Sequence, residues 1–468
     1  MSTRGGTLQA PADVRTEPVE QAAGPSRLPL VVYILALGTF LMGTTEFVVA
    51  GLLPEIAGDL NVSVARTGLM ITVFAVGMII GAPLMAMLTL RLPKRVTLML
   101  ALGVFAAGHV IVALGSDFTV LLAARFLTAI ATGAFWAVAN VAAANAAGPA
   151  AGSRALGLVG AGAMLANVVG VPLGAFAGQL MGWRGPFWAL AVLSAAAIVL
   201  IARTVANDGP AQQTVSVRSE LTALRSGRVW LVLAACATTT GGVLAAYSYI
   251  APLLTDRSGI ASGIVPLVLV GFGLGALAGS LVGGRLGDRS PHAVTLVAAA
   301  GATLLLLAIS LLAGYAVPTI ILVTLLGFFG LGANPVLMAL AVRFAKQAPV
   351  LASALTVSAF NLGTAIGTWI AGRTLDSSLG TTGPAIVGTV IAALTLIPTL
   401  TLALLQRRRT AAVAWDAADT GTKGHEGRPA NTTGPDQTSE SGGQTAPPKT
   451  IACWKTHTIG EVLPPTSD

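Results

Sequence analysis

Long apolar runs separated by short polar stretches make up most of the chain. In an α-helix, about 20 apolar residues are enough to cross the hydrocarbon core of a bilayer. Runs of about this length lie at 30–53, 69–90, 96–115, 120–144, 154–178, 186–204, 229–254, 262–284, 293–313, 318–342, 350–371 and 383–405. The pattern predicts an all-α polytopic membrane protein with about 12 transmembrane helices.

The polar stretches divide these runs into two sets of six. We predict two pseudo-symmetric six-helix halves, at 29–205 and 229–405, joined by a cytoplasmic linker at 206–228. The polar composition of 1–28 and 406–468 predicts disordered tails that precede and follow the halves.

Basic residues are concentrated in the loops on the side of the bundle that holds both termini. This side has Arg27, Arg91, Lys94, Arg95, Arg154, the linker arginines Arg218, Arg225 and Arg228, Arg285, Arg289, Arg343, Lys346 and Arg407 to Arg409. The opposite side has only Arg66, Arg184, Arg257 and Arg373. The positive-inside rule therefore places both termini in the cytoplasm. Since the net charge of +8 is mostly explained by this topology, we expect no nucleic-acid partner.

The composition excludes several other classes of protein. The chain is 54% hydrophobic and 10% charged, whereas roughly a quarter of the residues of a soluble domain are charged. The two cysteines and four histidines show no metal-ligand spacing, and no nucleophile or phosphate-binding motif occurs. We therefore expect no metal, no cofactor and no enzymatic activity. The first run is too long for a signal-peptide core, so we expect it to be retained as a membrane span.

A single acid, Glu46, interrupts the first apolar run, and the other runs contain no Asp or Glu. A carboxylate in a membrane span costs at least ~2.5 kcal/mol, so an acid at this depth is a candidate functional group. We expect Glu46 to load and release protons, which would couple proton movement to a cationic substrate or to the orientation of a cavity. A structural hydrogen bond or an ion pair with Arg125 is the alternative.

Arg125 and His109 are expected at the same depth as Glu46. Counted at 1.5 Å per residue, Glu46 lies roughly 10 Å from the outer end of its run and Arg125 roughly 8–10 Å from the same face. An acid and a base at one depth could pair, which lowers the cost of burying each. We expect Arg125 to tune Glu46 or polarise the cavity, unless it snorkels to the interface. His109 is expected to be a buried neutral or packing residue.

Aromatic and amide side chains are candidates for substrate binding. Tyr247 and Tyr249 could form a gate or stack on a substrate, or could be interfacial tyrosines. Phe135 and Trp136 could line a cavity, although apolar packing explains them as well. Asn334 is the amide that we expect in a cavity, whereas Asn167 and Asn361 are expected to bond between helices.

Small residues recur at every fourth position in the second, fifth, eighth and eleventh runs. They are Gly77 and Gly81; Gly162, Ala166, Gly170 and Gly174; Gly271, Gly275, Gly279 and Gly283; and Gly363 and Gly367. Each set forms a smooth ridge on one helix face. The ridges could provide tight packing within each half, or they could form the seam along which the halves move.

Several motifs resemble those of the major facilitator superfamily, and within it those of the twelve-span drug:proton antiporters. Gly284 to Arg289 (GRLGDR) resembles the superfamily's cytoplasmic loop motif. The equivalent loop, Thr89 to Arg95, keeps basic residues such as Arg91 but lacks the motif's Asp and first Gly. Arg125 lies where an intramembrane arginine is expected. Gly170 to Gly174 (GVPLG) resembles the antiporter motif with one inserted residue.

A narrower resemblance is to chloramphenicol-efflux and arabinose-efflux-type exporters. Gly43 to Phe47 (GTTEF), Gly51 to Ala57 (GLLPEIA) and Gly81 to Leu84 (GAPL) carry it. The superfamily motifs imply conformational or gating roles for Gly170, Pro172, Gly174, Arg91, Gly284, Asp288 and Arg289. Gly162 is added as a gating candidate because it belongs to the same small-residue ridge as Gly170 and Gly174. Asp288 with Arg289 is expected to hold one conformation closed through a cytoplasmic charge network, unless the two are a solvated loop pair.

These features together predict a proton-coupled exporter that works by alternating access in the bacterial plasma membrane. Its expected partners are protons, the lipid bilayer and a small amphipathic drug, with a phenicol-type antibiotic implied by the resemblance, and we expect a functional monomer. A sugar or metabolite exporter is the alternative. A non-transporting membrane sensor or scaffold, whose tail recruits partners, is a more distant one.

Overall fold

The computed structural model describes residues 28–88, 92–148, 151–205, 226–345 and 349–408. Most of the predicted tails (1–27 of 1–28, and 409–468 of 406–468), most of the predicted linker (206–225) and the gating candidate Arg91 lie outside these ranges. Residues 406–408, predicted to begin the second tail, belong to the last helix. The described chain is mostly helical, with short turns between helices, and contains no β-strand.

Within these ranges, 12 helices are long and apolar enough to cross a bilayer, which confirms the predicted all-α polytopic fold. They are α1 (Leu30–Gly51), α2 (Val64–Met85), α3 (Lys94–Leu114), α4 (Phe118–Ala147), α5 (Arg154–Met181), α6 (Arg184–Thr204), α7 (Gly227–Tyr247), α8 (Ser262–Arg289), α9 (Pro291–Leu312), α10 (Ala316–Ala345), α11 (Leu351–Leu375) and α12 (Gly380–Arg408).

Local sequence signals set several helix ends. Asp117 caps the first turn of α4 by accepting hydrogen bonds from the backbone N–H groups of Thr119 and Val120, at 2.8 and 3.0 Å. Beyond α1, a short helix at Leu53–Leu60 has a proline in its first turn and stops at Asn61, which has a φ of 50°. The apolar run 30–53 is therefore a span followed by the start of this separate helix.

We call the end of the bundle where α1 begins and α12 stops the terminal end, and the opposite end the distal end. In the first half α1 packs on α5, α2 on α4, and α3 on α4 and α6. The equivalent pairs of the second half, α7 with α11, α8 with α10, and α9 with α10 and α12, pack in the same way. This recurrence gives two pseudo-symmetric halves.

The glycine ridges pack inside each half. An added Cβ at Gly170 would collide with Thr44 of α1, and one at Gly174 with Val48 of the same helix. The ridge of α8 lies in the same way against α10, that of α2 against α4, and that of α11 against α7. The interpretation of the ridges as the seam between halves is therefore wrong for these residues, because each ridge lets two helices of one half approach closely.

Other faces of the same four helices join the two halves. The hydroxyls of Thr72 on α2 and Thr368 on α11 are 2.9 Å apart. On the other side of the bundle, the Gln179 amide nitrogen donates to the carbonyl of Ser262, at 2.7 Å between nitrogen and oxygen. Deeper in the seam, Gly273 of α8 lies against the backbone of Asn167. The distal end is therefore closed.

The seam between α5 and α8 is concentrated in the distal and central parts of α5. There α8 packs on a π-helical turn, Ala166–Gly170, and on the helical segment Val171–Met181 that follows it. A Cβ added at Gly157 or Gly160, nearer the terminal end of α5, would meet no atom within 4 Å. The two halves thus pack more closely at the distal end than at the terminal end of this seam.

Candidate functional site

Glu46 lies in the interior of the bundle, near the distal end of α1. It is nine residues after Leu37, which is 38% exposed, and at 3.6 residues per turn this places the two side chains about 180° apart around the helix. Glu46 is itself only partly buried. Because it faces away from the exposed side of α1, its accessible surface lies inside the protein, where water or a substrate could reach it.

Arg125 on α4 is the cation that interacts electrostatically with Glu46, but its guanidinium binds Thr45, the residue before Glu46. Its Nη1 donates to the Thr45 hydroxyl at 2.9 Å, and the arginine is 1% exposed. The charges of Glu46 and Arg125 act on each other. No ion pair joins the two, however, among the contacts of the described residues. The predicted alternative of a direct Glu46–Arg125 ion pair is therefore not formed in this structure.

Further contacts hold the buried guanidinium in place. It lies over the Phe74 ring, 4.2 Å from the ring centroid, and its Nε donates a long hydrogen bond of 3.5 Å to the Met70 carbonyl. Its Nη2 is buried and finds no acceptor among the residues that the structure describes. An unused donor on a buried cation is costly, so this nitrogen is available to a carboxylate or a ligand.

His109 on α3 completes the cluster around Thr45. Its Nε2 is 2.7 Å from the Thr45 hydroxyl and its Nδ1 is 2.7 Å from the Phe105 carbonyl. The imidazole is 1% exposed. The helices α1, α3 and α4 thus bring Glu46, Arg125 and His109 to one level of the bundle, with the Thr45 hydroxyl between the last two.

The second half contributes an aromatic group that meets α1 at Phe47, the residue after Glu46. The Tyr247 ring stacks on Phe272, with centroids 4.1 Å apart, and meets the edge of Phe47 from the first half at 6.4 Å. The Tyr247 hydroxyl is buried and has no hydrogen-bond partner in the described part of the chain. A polar atom in this condition can serve a ligand or a rearranged neighbour.

The structure places Tyr249 away from this group, in the distal closure. Its hydroxyl donates to the Thr368 carbonyl at 3.0 Å. The ring lies so close to Gly68 of α2 and Gly372 of α11 that neither glycine has room for a Cβ. Tyr249 thus contacts both halves and has no surface facing the site.

The remaining substrate candidates lie nearer the terminal end. Phe135 is fully buried and packs on Gly38 of α1, so it offers no surface to a substrate in this conformation. Trp136, the next residue on α4, has a buried indole nitrogen, and Asn334 on α10 has a buried amide oxygen. Neither atom has a hydrogen-bond partner among the described residues. Each of the two side chains lies 18 residues after the first residue of its span, Phe118 or Ala316, so the two positions are equivalent in the halves.

The gating candidates fall into two places. Gly162, Gly170 and Gly174 lie against α1, and Pro172 follows the π-helical turn that contacts α8. Gly284 and Asp288 line a cavity of about 340 Å³ at the terminal end of the second half, together with Arg343 of α10. Asp288 and Arg289 are exposed. No ion pair of Asp288 is found among the described residues.

Thr45 and Phe74 are the site residues that sequence reasoning missed. Both lie in apolar runs, and neither residue type signals a site by itself. A buried arginine does require partners, so the predicted depth of Arg125 could have directed attention to hydroxyls and rings at that level.

Glu55, in the short distal helix, is a further missed residue. One of its carboxylate oxygens is buried and has no partner within the described ranges, and burial raises the pKa of this carboxyl above its usual value. Only its position within the GLLPEIA motif marked it in the sequence.

Comparison with known proteins agrees with this architecture. Residues 35–357 and, in a second overlapping match, 245–431 fit the Major Facilitator Superfamily. The chain belongs to this superfamily of membrane transporters.

Two curated relatives indicate the branch. The chain is 37% identical over 380 residues to the "Chloramphenicol resistance protein" of Streptomyces lividans, a match that covers 79% of this chain and 95% of that protein. It is 32% identical to the "Inner membrane transport protein YdhP" of Escherichia coli (strain K12), over 78% of this chain and 93% of that protein. These relatives support the predicted membership of the drug and arabinose-efflux type.

Solved structures share the fold. A POT family transporter in complex with 5-aminolevulinic acid superposes with a TM-score of 0.66 at 12% identity, covering 81% of this chain and 96% of that chain. A bacterial homolog of the human lysosomal transporter Spinster, in an inward-facing and occupied conformation, gives 0.63 at 17% identity, with the same two coverages.

Proposed function

We propose that the protein is a proton-coupled exporter of a small amphipathic drug, most readily a phenicol-type antibiotic, and that it works by alternating access. The observation that carries the proposal is the accessible carboxylate of Glu46 inside the bundle, beside a buried guanidinium with which it is not paired. An intramembrane acid that can exchange with water is the chemistry required to carry a proton across a membrane.

We take the conformation with the closed distal end as the first state of the proposed transport cycle. With the termini in the cytoplasm, as the distribution of basic residues predicts, the site would be reached from the cytoplasm in this conformation. A drug would then enter while the proton on Glu46 leaves. Opening of the distal contacts would expose Glu46 to the outside, where a proton replaces the drug and allows return.

The lining of the bundle suits an aromatic molecule with a few hydroxyl or amide groups. Tyr247, Trp136 and Asn334 each hold a buried polar atom without a partner among the described residues, next to apolar or aromatic surface. One bound neutral molecule could pair several of these atoms while its ring packs on Phe47 and Phe272. Similarity to a relative named for chloramphenicol resistance supports a phenicol.

The gating residues would act in the opposite half of the cycle. Asp288 and Arg289 form no ion pair among the described residues, and would pair with groups of the first half when the terminal end closes. The π-helical turn before Pro172 contacts α8 across the seam. Such turns are common at functional sites, and here the turn would adjust as the halves rock.

A sugar or other metabolite is the second candidate substrate. The chain is 30% identical, over 75% of its length and 89% of the relative, to the "Putative transporter AraJ" of Escherichia coli (strain K12). The unpaired hydroxyl and amide atoms would also suit a polyol.

Drug survival of a sensitive host tests the proposal first. The host would express the wild type, Glu46→Gln, Glu46→Asp or the matched control Asp376→Asn, which alters an exposed acid beyond the end of α11. Survival would be scored against a phenicol, a cationic dye and a macrolide, with each protein quantified by blot. We expect the wild type and Asp376→Asn to protect, and Glu46→Gln to lose protection by tenfold or more.

Purified protein in liposomes separates proton coupling from substrate identity. Drug added to the wild type should release protons that a pH-sensitive dye detects, whereas Glu46→Gln should release none. Equal protection by wild type and Glu46→Gln would show that Glu46 is structural. If no drug is exported, efflux of labelled sugars from the same liposomes tests the second candidate.

A further inference from the structure

His109 makes two hydrogen bonds that constrain where its protons lie. The Phe105 carbonyl can only accept, so Nδ1, 2.7 Å away, must carry a hydrogen. The Thr45 hydroxyl, 2.7 Å from Nε2, can either donate or accept. Two states of the ring therefore fit the same atomic positions, a neutral imidazole that accepts from Thr45 and an imidazolium that donates to it.

The same hydroxyl is also the acceptor for Arg125, at 2.9 Å from Nη1. With a neutral imidazole, every bond has a proper direction: Arg125 donates to Thr45, Thr45 donates to His109, and His109 donates to Phe105. A second proton on the ring would reverse the middle bond. It would also put two cations on either side of one oxygen atom in a buried place, where like charges repel strongly.

The groups around the imidazole leave one way to relieve this repulsion. From α3 and α6 the ring meets Phe105 and Phe187, whose centroids are 4.1 and 5.9 Å away and which carry no charge. Among the described residues, Arg125 on α4 is the charged group that acts on the ring, and Glu46 on α1 in turn interacts with Arg125. Glu46 has no ion-pair partner in the described chain, and Arg125 has an unused buried nitrogen. The guanidinium can therefore move from Thr45 to the carboxylate.

We propose that His109 is a positioning residue for Arg125: a proton on its Nε2 displaces the guanidinium from Thr45, and the guanidinium then pairs with Glu46. When His109 is neutral, Arg125 rests on Thr45 and Glu46 is free to take a proton. When His109 is charged, Glu46 is held ionised by Arg125. His109 and Glu46 thus hold one proton between them, on one residue or the other. The Thr45 hydroxyl changes from donor to acceptor towards His109 when the proton moves.

This inference rests on the proposed function, because it assigns the carried proton to Glu46 and adds the residue that controls access to it. It predicts that the balance between distal-closed and distal-open conformations depends on pH through His109. It also predicts that a hydroxyl at position 45 is required, whereas the methyl group of Thr45 is not.

Spin-label distances across the distal end provide the test. Labels at Gly58→Cys and Ser378→Cys, both exposed and in different halves, would be introduced after Cys236→Ala and Cys453→Ser. The full chain in lipid nanodiscs would be titrated from pH 5.5 to 9 by pulsed electron spin resonance. His109→Gln keeps an acceptor for Thr45 but cannot take a proton, Thr45→Val removes the hydroxyl, and Thr45→Ser keeps it.

We expect the wild type and Thr45→Ser to open with the same pH midpoint. His109→Gln and Thr45→Val should move the midpoint by one pH unit or more, or abolish the response. A wild type whose distances do not change with pH, or a His109→Gln variant with the wild-type midpoint, would overturn the inference. Thermal stability of each variant identifies loss of folding, and the conservative Thr45 pair gives a second route if His109→Gln is unstable.

The liposome assay distinguishes this inference from the proposed function. If His109→Gln still shows drug-driven proton release with an unchanged pH profile, the proposed exporter function is supported. The positioning role of His109 is then rejected. The opposite outcome is a protein that exports none of the tested compounds but whose spin labels still respond to pH only when His109 is present. That outcome supports the positioning role of His109 and rejects the proposed exporter.

Discussion

The hydroxyls of Thr72 and Thr368 lie 2.9 Å apart and connect the two halves of the transporter directly. Thr368 is also the residue whose carbonyl accepts the hydrogen bond from Tyr249. The hydrogen bonds named here in the distal closure join neutral groups, and each is worth about 1 kcal/mol. Contacts of this size can break and re-form in a transport cycle.

Replacing Thr72 by valine should favour the distal-open conformation. The substitution keeps the shape of the side chain and removes one hydrogen bond across the seam, so the open population should rise about fivefold for a loss of about 1 kcal/mol. The spin-label pair at positions 58 and 378 measures this population. Thr401→Val is the matched control, because that hydroxyl bonds to a carbonyl of its own helix. Equal populations in Thr72→Val and wild type would contradict the prediction.

Gly170→Ala should destabilise the first half. A Cβ at position 170 would collide with the Thr44 side chain, and overpacking of this kind typically costs 1–3 kcal/mol. Gly160→Ala on the same span is the control, since its Cβ would meet no atom within 4 Å. Thermal unfolding in detergent should show a lower midpoint for Gly170→Ala and an unchanged or slightly higher one for Gly160→Ala. A wild-type midpoint for Gly170→Ala would show that α1 and α5 can move apart freely.

Arg125→Lys should lose export although it keeps the charge. A lysine has no planar fork with which to bind Thr45 at one nitrogen and still present another to Glu46, and it stacks less well on Phe74. We expect a decrease of tenfold or more in drug-driven proton release. Arg257→Lys, at an exposed position near the distal end, should retain wild-type release. Full activity of Arg125→Lys would mean that only the positive charge matters.

The ion pair between Arg184 and Asp59 should give a small, acid-sensitive contribution to stability. The two side chains are 2.5 Å apart, and the hydrogen bond from Arg184 holds the pKa of Asp59 below its usual value of 3.8. A lowered folded-state pKa means that the stabilisation is present at neutral pH and is lost as the pH falls below about 4. Because both side chains are partly exposed, roughly 0.2–1 kcal/mol is expected.

Thermal unfolding at pH 7 and pH 3 checks this contribution. Asp59→Asn should be less stable than wild type at pH 7, the difference should be smaller at pH 3, and 1 M salt should reduce the difference at pH 7. Asp376→Asn serves as the control at an exposed acid. A difference that is the same at both pH values would show that the ion pair is not its cause.

The number of spans and the fold class followed from the sequence, because a membrane imposes a length and an apolar composition on each helix. The depth that Glu46 shares with Arg125 followed in the same way, whereas a proton-coupling role for Glu46 stays a prediction. Counting residues along a straight helix gives the height of a side chain, and burial of a charge in an apolar run is unusual enough to be noticed.

The lateral arrangement required the tertiary structure. Depth is one coordinate, so it could not decide that Arg125 binds Thr45 rather than Glu46, or that Tyr247 packs on Phe272 and Phe47 while Tyr249 lies in the distal closure. The glycine ridges marked close helix contacts correctly but did not name the partner helix, which proved to belong to the same half. Each of these outcomes depends on which helices are neighbours and how each is rotated about its axis, and long-range packing sets both.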